Sequence, residues 1–448
     1  MPRSLLKILG VSFGLAVTIG NTIGAGILRT PGDVAAALPN PWLFLGVWIV
    51  GAAYALLGVN AIAELGTMLP RSGAQYVYAR HTFGDYAGFV VGWNDWISTC
   101  ASVAAISIVH GEALGALASD AGVSTFAHRD VGLGIAVVTV FTLMLWRGTK
   151  MSERSQELTS LFKALALIAF VIACLAFGGR GAQSAIATAP HVATTAAPLF
   201  LSFVLAAQGV IYTYDGWTGP LYFAEELRDP ARQIPRSMFG GLLAIAAIYI
   251  LINIAFMLAV PLHVLAGSNL AAATVATALF GDRGAQVVRL VVALALPSAV
   301  IACLLMASRV LYGVSRDGLG PSVATRVNPG GTPTVSLLLS GLVSVLFIAT
   351  GTFQSVIAVA AFFFVANYAT SFLAVFVLRR REPLAPRPYR ARGHPRTTGL
   401  VLVGSIAFLI GAVAQDTRNS VYALVLVVVS WPTFLLVKRR IAVQGAGD

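Results

Sequence analysis

Two short stretches have the residue types and spacing to hold a small charged solute. The first is Thr18-Ile19-Gly20-Asn21-Thr22-Ile23-Gly24-Ala25-Gly26-Ile27, inside the first long apolar segment. Gly20, Gly24 and Gly26 each cost an α-helix about 1 kcal/mol relative to alanine. A broken backbone in hydrocarbon survives only where protein or a water-filled cavity surrounds it. Free amides at Gly24, Ala25 and Gly26 would point at an anion, as helix N-termini do. Free carbonyls on the other side of the break would accept from a cation. An α-amino acid carries both charges about one residue-length apart. The alternative is close helix packing, since Gly20 and Gly24 have Gly-x-x-x-Gly spacing.

The second stretch is Tyr212-Thr213-Tyr214-Asp215-Gly216-Trp217-Thr218-Gly219-Pro220. A charged Asp at mid-membrane costs about 2.5–3.5 kcal/mol on insertion scales, so Asp215 is a functional candidate. It could accept from a substrate amine, take up a proton, or cap the Gly216–Thr218 backbone. Tyr212 and Trp217 could cover a substrate as gates, or pack as core aromatics. Lys163 is a third element, roughly 10 Å along the helix of segment 5. It could snorkel to the inner surface. If buried, it could hold free carbonyls of the first break, as a sodium ion would, or exchange a proton.

The elements that position these groups follow from composition. The 448 residues are 57% hydrophobic and 11% charged, with mean hydropathy +0.82. Many apolar runs near membrane-spanning length indicate a polytopic helical membrane protein and not a barrel. The first run is too long for a signal peptide and lacks a small-residue cleavage motif. Net charge is +12. About 22 of the 30 Lys and Arg fall on one set of alternating loops and about four on the other, a positive-inside asymmetry that accounts for the basic balance without nucleic acid. Cys100, Cys174 and Cys303 all lie in apolar segments and read as free thiols, without metal or disulfide spacing.

Twelve segments are expected, with both termini cytoplasmic. Segment 1 runs over about 8–37 and segment 2 over about 42–68, followed by an amphipathic interfacial piece, Ala74–Arg80. Segments 3, 4 and 5 are about 84–117, 131–147 and 156–177, with Arg147 and Lys150 closing segment 4 on the inside. Segment 6 covers about 197–224, segment 7 about 237–260, segment 8 about 285–314, and segments 9 and 10 about 334–350 and 354–378. A loop of seven arginines, Arg379–Arg396, precedes segments 11 and 12 at about 398–414 and 420–437. The two breaks fall in segments 1 and 6. An offset of five puts the second set of five on the opposite side of the membrane, and interrupted helices at matching positions of inverted halves point to a transporter site. The chain reads as one transmembrane domain, 1–448, with repeats of about 8–177 and 197–378.

Other intramembrane polar residues are Glu64, Asn94, Asp95, His110, Glu112, Asn253 and Arg309. Glu64 is expected to form a structural ion pair with an inner-loop arginine, and Asp95 a similar one. His110 and Glu112 are expected at the outer interface. None of these is assigned to the substrate. There is no Walker A loop, Gly-x-Ser-x-Gly or His-Glu-x-x-His, so neither ATP drive nor an enzyme activity is expected.

Four separated motifs resemble the amino acid–polyamine–organocation (APC) superfamily, closest to its L-type amino acid transporter branch. Gly20-Asn21-Thr22-Ile23-Gly24-Ala25-Gly26-Ile27 is similar to the first-helix signature, and Ala63-Glu64-Leu65-Gly66-Thr67-Met68-Leu69-Pro70-Arg71-Ser72-Gly73-Ala74-Gln75-Tyr76-Val77-Tyr78 to the segment 2 to inner-loop motif. Tyr214-Asp215-Gly216-Trp217, Glu225-Glu226-Leu227-Arg228-Asp229-Pro230 and Ile234-Pro235-Arg236 resemble the L-type branch. Ser308-Arg309-Val310-Leu311-Tyr312 with Arg316-Asp317-Gly318-Leu319 is similar to the end of helix 8.

The resemblance implies the five-plus-five inverted-repeat (LeuT-like) fold, with helices 1 and 6 broken and alternating access. It implies an amino acid bound by Ile23, Gly24, Ala25, Gly26 and Ile27 on one side and Tyr212, Thr213 and Asp215 on the other. The carboxylate would sit on the amides of Gly24, Ala25 and Gly26, and the amine on carbonyls near Ile23 and in Tyr212–Asp215. Tyr212 stands where the family keeps an aromatic gate. Lys163 stands where sodium-independent members keep a lysine. L-type relatives often have Gly where Asp215 stands. The loop Ser119–Asp130 lacks the cysteine by which animal relatives bind a heavy chain, so no disulfide-linked partner is expected.

The expected function is a sodium-independent permease for neutral amino acids of alanine-to-leucine size, coupled to protons or exchanging. No cofactor or metal is expected, and the setting is a prokaryotic inner membrane. The alternatives are a cationic amino acid or polyamine transporter, motivated by Asp215, and a nutrient receptor without net transport.

Overall fold

A computed structural model describes residues 10–71, 73–123, 129–146, 153–186, 198–328 and 332–445. Residues 1–9 before segment 1, Arg147 and Lys150, and residues 187–197 between segments 5 and 6 lie outside the described residues.

The described chain is helical, apart from an isolated bridge between Val327 and Pro333. Segment 1 is split into α1 (Val11–Thr22) and α2 (Ala25–Ala37), which bend by 40° at the break. Ile23 leaves helical geometry at ψ 90°, and Gly24 is extended at φ −129°, ψ −151°. Helix α3 (Pro41–Met68) starts cleanly because the Asn40 side chain accepts from the amides of Trp42 and Leu43, with proline at its first position. The interfacial piece is α4 (Gln75–Phe83), followed by α5 (Asp85–Asp120), α6 (Arg129–Trp146) and α7 (Glu153–Ile186).

Segment 6 is α8 (Leu199–Tyr214), an irregular turn, and one short helical turn, α9 (Gly219–Tyr222). Helix α10 (Pro230–Ala259) opens on Pro230 with Asp229 as its cap. The stretch 261–284 between segments 7 and 8, external by the alternation of sides, holds α11 (Leu262–Leu265) and the start of α12 (Ala271–Arg316). Helix α12 kinks at Gly281, whose φ of +67° separates the external piece from segment 8. Helix α13 (Thr334–Thr350) precedes α14 (Phe353–Arg381), which begins with a Thr352/Ser355 capping box. Helices α15 (Arg396–Gln415) and α16 (Thr417–Gly445) complete the chain.

Nine described helices are long and apolar enough to cross a membrane, and the α1–α2 pair makes ten. The expected segments 6 and 9 correspond to shorter apolar helices, Leu199–Tyr214 and Thr334–Thr350. Burial separates inner helices from lipid-facing ones. The most apolar window of α5 is 72% buried and that of α14 is 67%, against 22% for α6 and α16. The broken pair itself packs mainly on α7, α8, α10 and α12, where protein can satisfy its backbone.

The seven-arginine loop folds back on α3. Arg379 grips Glu64 through Nε at 2.9 Å and Nη2 at 2.6 Å, Arg387 Nε is 3.2 Å from Oε1, and the Ala391 amide donates to Oε2 at 2.7 Å. Glu64 is thus the structural ion pair expected of it. The expectation for Asp95 is corrected: it meets no lysine or arginine among the described residues, and its Oδ1 accepts from the Tyr222 hydroxyl at 2.7 Å. Glu112 is half-buried near the outer end of α5, but it is paired with Arg29, a buried cation of α2 that the sequence does not single out.

Candidate functional site

Where the breaks cross, glycine lets two backbones touch. A Cβ on Gly26 would lie 2.6 Å from Thr213 Oγ1, and one on Gly216 would lie 2.8 Å from the Thr22 amide nitrogen. Gly216 also has φ +113°, which penalises any side chain. Asp215 takes the extended cap position of α8, at φ −60° and ψ 154°. The chain therefore turns out of helix at Ile23–Gly24 and again at Asp215–Gly216, and the two turns face each other.

Between them is a cavity. Gly24, Ala25 and Gly26 line it from one break, and Tyr212, Thr213, Asp215 and Gly216 from the other. No side chain caps the N-terminus of α2, which leaves its leading amides available to an anion. Asp215 accepts from the Tyr368 hydroxyl of α14. Ile23, Ile27 and Trp217 are buried outside this lining. Ile23 faces an apolar cavity on the other side of α1, Ile27 is fully buried, and Trp217 packs against Tyr368 with tilted rings, centroids 4.9 Å apart.

The carbonyl side of the first break is held from behind. The Thr22 carbonyl accepts from the Tyr249 hydroxyl at 2.6 Å, the Ala16 carbonyl from Ser160 Oγ at 2.8 Å, and the Gly20 carbonyl from Lys163 Nζ at 3.3 Å. Lys163 is 4% exposed, so it does not snorkel out. It lies among the walls of the apolar cavity, behind α1, and not in the central one.

A column of side chains runs from the cavity toward the end of α5. The Tyr212 ring meets Phe353 edge-on at 6.0 Å, the Arg29 guanidinium lies 4.3 Å from the centroid of Phe353, and Arg29 pairs with Glu112. On the opposite side, the Tyr76 hydroxyl and Arg80 Nη1 both donate to Asp317 Oδ2, at 3.0 and 2.8 Å.

Sequence reasoning missed much of the lining. Asp95, Thr99, Ser102 and Ile106 of α5 all face the cavity. Their spacing of four, three and four residues is one helix face, and that stripe was readable. Gln75, Tyr222, Asn367 and Tyr368 come from α4, α9 and α14, and no local pattern marks them.

The family model described as "Amino acid permease" matches residues 9–431. The serine/threonine exchanger SteT of Bacillus subtilis (strain 168) is 26% identical over 449 residues, covering 98% of each chain. The large neutral amino acids transporter small subunit 2 of Homo sapiens is 26% identical over 391 residues, 86% of this chain and 72% of that one. The branched-chain amino acid permease BcaP of Bacillus subtilis (strain 168) is 24% identical over 420 residues, 90% of this chain and 87% of that one. Among solved structures, the nucleobase-cation-symport-1 family transporter Mhp1, in a closed conformation with bromovinylhydantoin bound, superposes with TM-score 0.60 at 14% identity, over 98% of this chain and 96% of that one. That likeness shows a shared fold.

Proposed function

The chain belongs to the amino acid permease family and is a secondary transporter of amino acids; we propose that it carries small to medium neutral α-amino acids, independently of sodium, by proton coupling or exchange. The observation that carries this reading is the cavity bounded by both helix breaks. The amides of Gly24, Ala25 and Gly26 receive the carboxylate. Carbonyls near Ile23 and in the Tyr212–Asp215 turn receive the amine. These contacts are common to every α-amino acid, so the backbone recognises the class and side chains choose within it.

Alternating access needs the cavity to open to one side at a time. Tyr212 is the first cover on the Arg29–Glu112 side, while Trp217 packs against Tyr368. Lys163, donating to the Gly20 carbonyl, supplies positive charge where the bare carbonyls of the break would otherwise call for a bound cation. Gain or loss of its proton would change its hold on α1, which is how a proton could drive accumulation. The protein lies in a membrane with many passes, and its basic loops favour cytoplasmic termini, in a prokaryotic inner membrane.

A second reading, a cationic amino acid or polyamine as cargo, is favoured by one observation: Asp95 and Asp215 both line the cavity, and no lysine, arginine or histidine does among the described residues. Asp215→Gly should then shift preference toward neutral substrates, and an unaltered profile would remove this reading. The first reading is tested by uptake into proteoliposomes with a panel of labelled amino acids, with and without a pH gradient. Uptake of at least one neutral amino acid that does not need sodium is expected. Absence of uptake for every amino acid under every gradient would overturn it.

A further inference from the structure

We propose that Asp95 reads a hydrogen-bond donor on the cargo's side chain, a hydroxyl or an ammonium, and so selects donor-bearing amino acids over hydrocarbon ones. This rests on the permease reading above and names the side-chain class: a hydroxyl falls within its neutral form, an ammonium within the cationic second reading. Asp95 is 3% exposed. Its Oδ1 is taken by the Tyr222 hydroxyl at 2.7 Å, but its Oδ2 is buried with no hydrogen-bond partner among the described residues. A buried carboxylate oxygen left without a donor costs more than an ordinary hydrogen bond returns. The cavity it lines offers no described cation to supply one.

Three neighbouring atoms of the lining are also unmatched: the Thr22 hydroxyl, which can rotate to accept or to donate, and two amide oxygens. Gln75 Oε1 and Asn21 Oδ1 line the same cavity, are buried, and receive no donor from the described residues. An amide can be turned to present its nitrogen instead, so those two are adjustable. Both oxygens of a carboxylate accept, and Asp95 cannot be relieved by turning. The groups common to all amino acids are already assigned to the two breaks. What remains of the lining meets the side chain, and α5 supplies its carboxylate. A hydrocarbon side chain would leave Oδ2 bare, whereas a hydroxyl or an ammonium would satisfy it. The competing view, that Asp95 serves only to hold Tyr222, predicts no effect on selectivity.

The test uses the full chain in proteoliposomes and competes labelled alanine uptake with matched pairs: threonine against valine, which differ by hydroxyl for methyl, and lysine against norleucine, which differ by ammonium for hydrogen. The proposal expects the wild-type protein to favour the donor-bearing member of at least one pair by about tenfold or more, since a site with an unpaired acceptor rejects the analogue lacking the donor. Asp95→Leu should bring that ratio to within about twofold of unity, and Asp95→Asn, which keeps the volume but adds donors, should lower it at least about threefold. The pair that responds tells hydroxyl from ammonium. No preference in either pair, or a preference unchanged in Asp95→Asn, overturns the proposal; the Asn variant decides if the Leu variant does not fold. Wild-type protein that takes up no amino acid would instead overturn the permease reading.

Discussion

Gly26 and Gly216 are in contact with the opposite break, and their requirement for hydrogen as a side chain is the most specific statement the site makes. A methyl on Gly26 must displace Thr213, whose Oγ1 would be 2.6 Å away. Overpacking of this kind costs about 1–3 kcal/mol. Gly26→Ala is therefore expected to lower the melting temperature in detergent and to weaken uptake together, as the two turns are pushed apart; wild-type stability and uptake in the variant would reject the close contact. Lys163 makes a different prediction. Its only hydrogen bond among those described is to Gly20, so Lys163→Ala should abolish pH-driven accumulation while the protein remains folded by circular dichroism. Accumulation unchanged across the pH gradient would reject the coupling role. Most of these residues are legible in the sequence. The glycines, Asp215 and Lys163 announce themselves because each is costly in hydrocarbon. Asp95 bears the same cost, yet the sequence suggests half of an ion pair, because it does not say which partner a buried carboxylate finds.

At the scale of elements, the column Tyr212–Phe353–Arg29–Glu112 joins α8, α14, α2 and α5 on one side of the cavity. It ties those four helices together on that side. Removing its charged end should loosen the closure. Cys303 lines the cavity and Cys100 and Cys174 do not, so it reports access. In a background with Cys100 and Cys174 replaced by alanine, Arg29→Ala should raise the rate at which an impermeant thiol reagent modifies Cys303 from the Glu112 side, by several-fold. A rate equal to that of the parent would show that the column does not gate. The broken helices follow from glycine content and from their spacing five segments apart. The extreme shortness of α9 does not. Pro220 and the Gly216–Gly219 pair mark a break, but where helix resumes after it depends on what the resumed turn can pack against.

For the whole molecule, the seven-arginine loop is a clamp as well as a topological marker. Glu64, 1% exposed, receives Arg379, Arg387 and the Ala391 amide, tying the 382–395 loop to α3. Breaking such a pair leaves buried arginine charge uncompensated, at about 3–5 kcal/mol. Glu64→Gln should lower thermal stability by that order and expose the loop to trypsin. If cleavage between α14 and α15 stays as slow as in the parent, the clamp is not what protects the loop.

The sequence by itself determined the membrane class, the helical architecture, the two interruptions and the solute chemistry they invite. Those follow from hydropathy, from the cost of glycine in a helix and from the rule that backbone polar groups in lipid need partners, all of which act locally along the chain. Only the tertiary structure decided what faces the cavity. Asp95 points at it from α5 while Ile27 and Trp217 are packed away, and Lys163 holds the Gly20 carbonyl from behind. Such pairings join residues far apart in the chain, and their choice depends on helix rotation and crossing, which no single segment encodes. The opening pair of breaks thus becomes a site whose class is set by backbone and whose selectivity is set by what the neighbouring helices turn toward it.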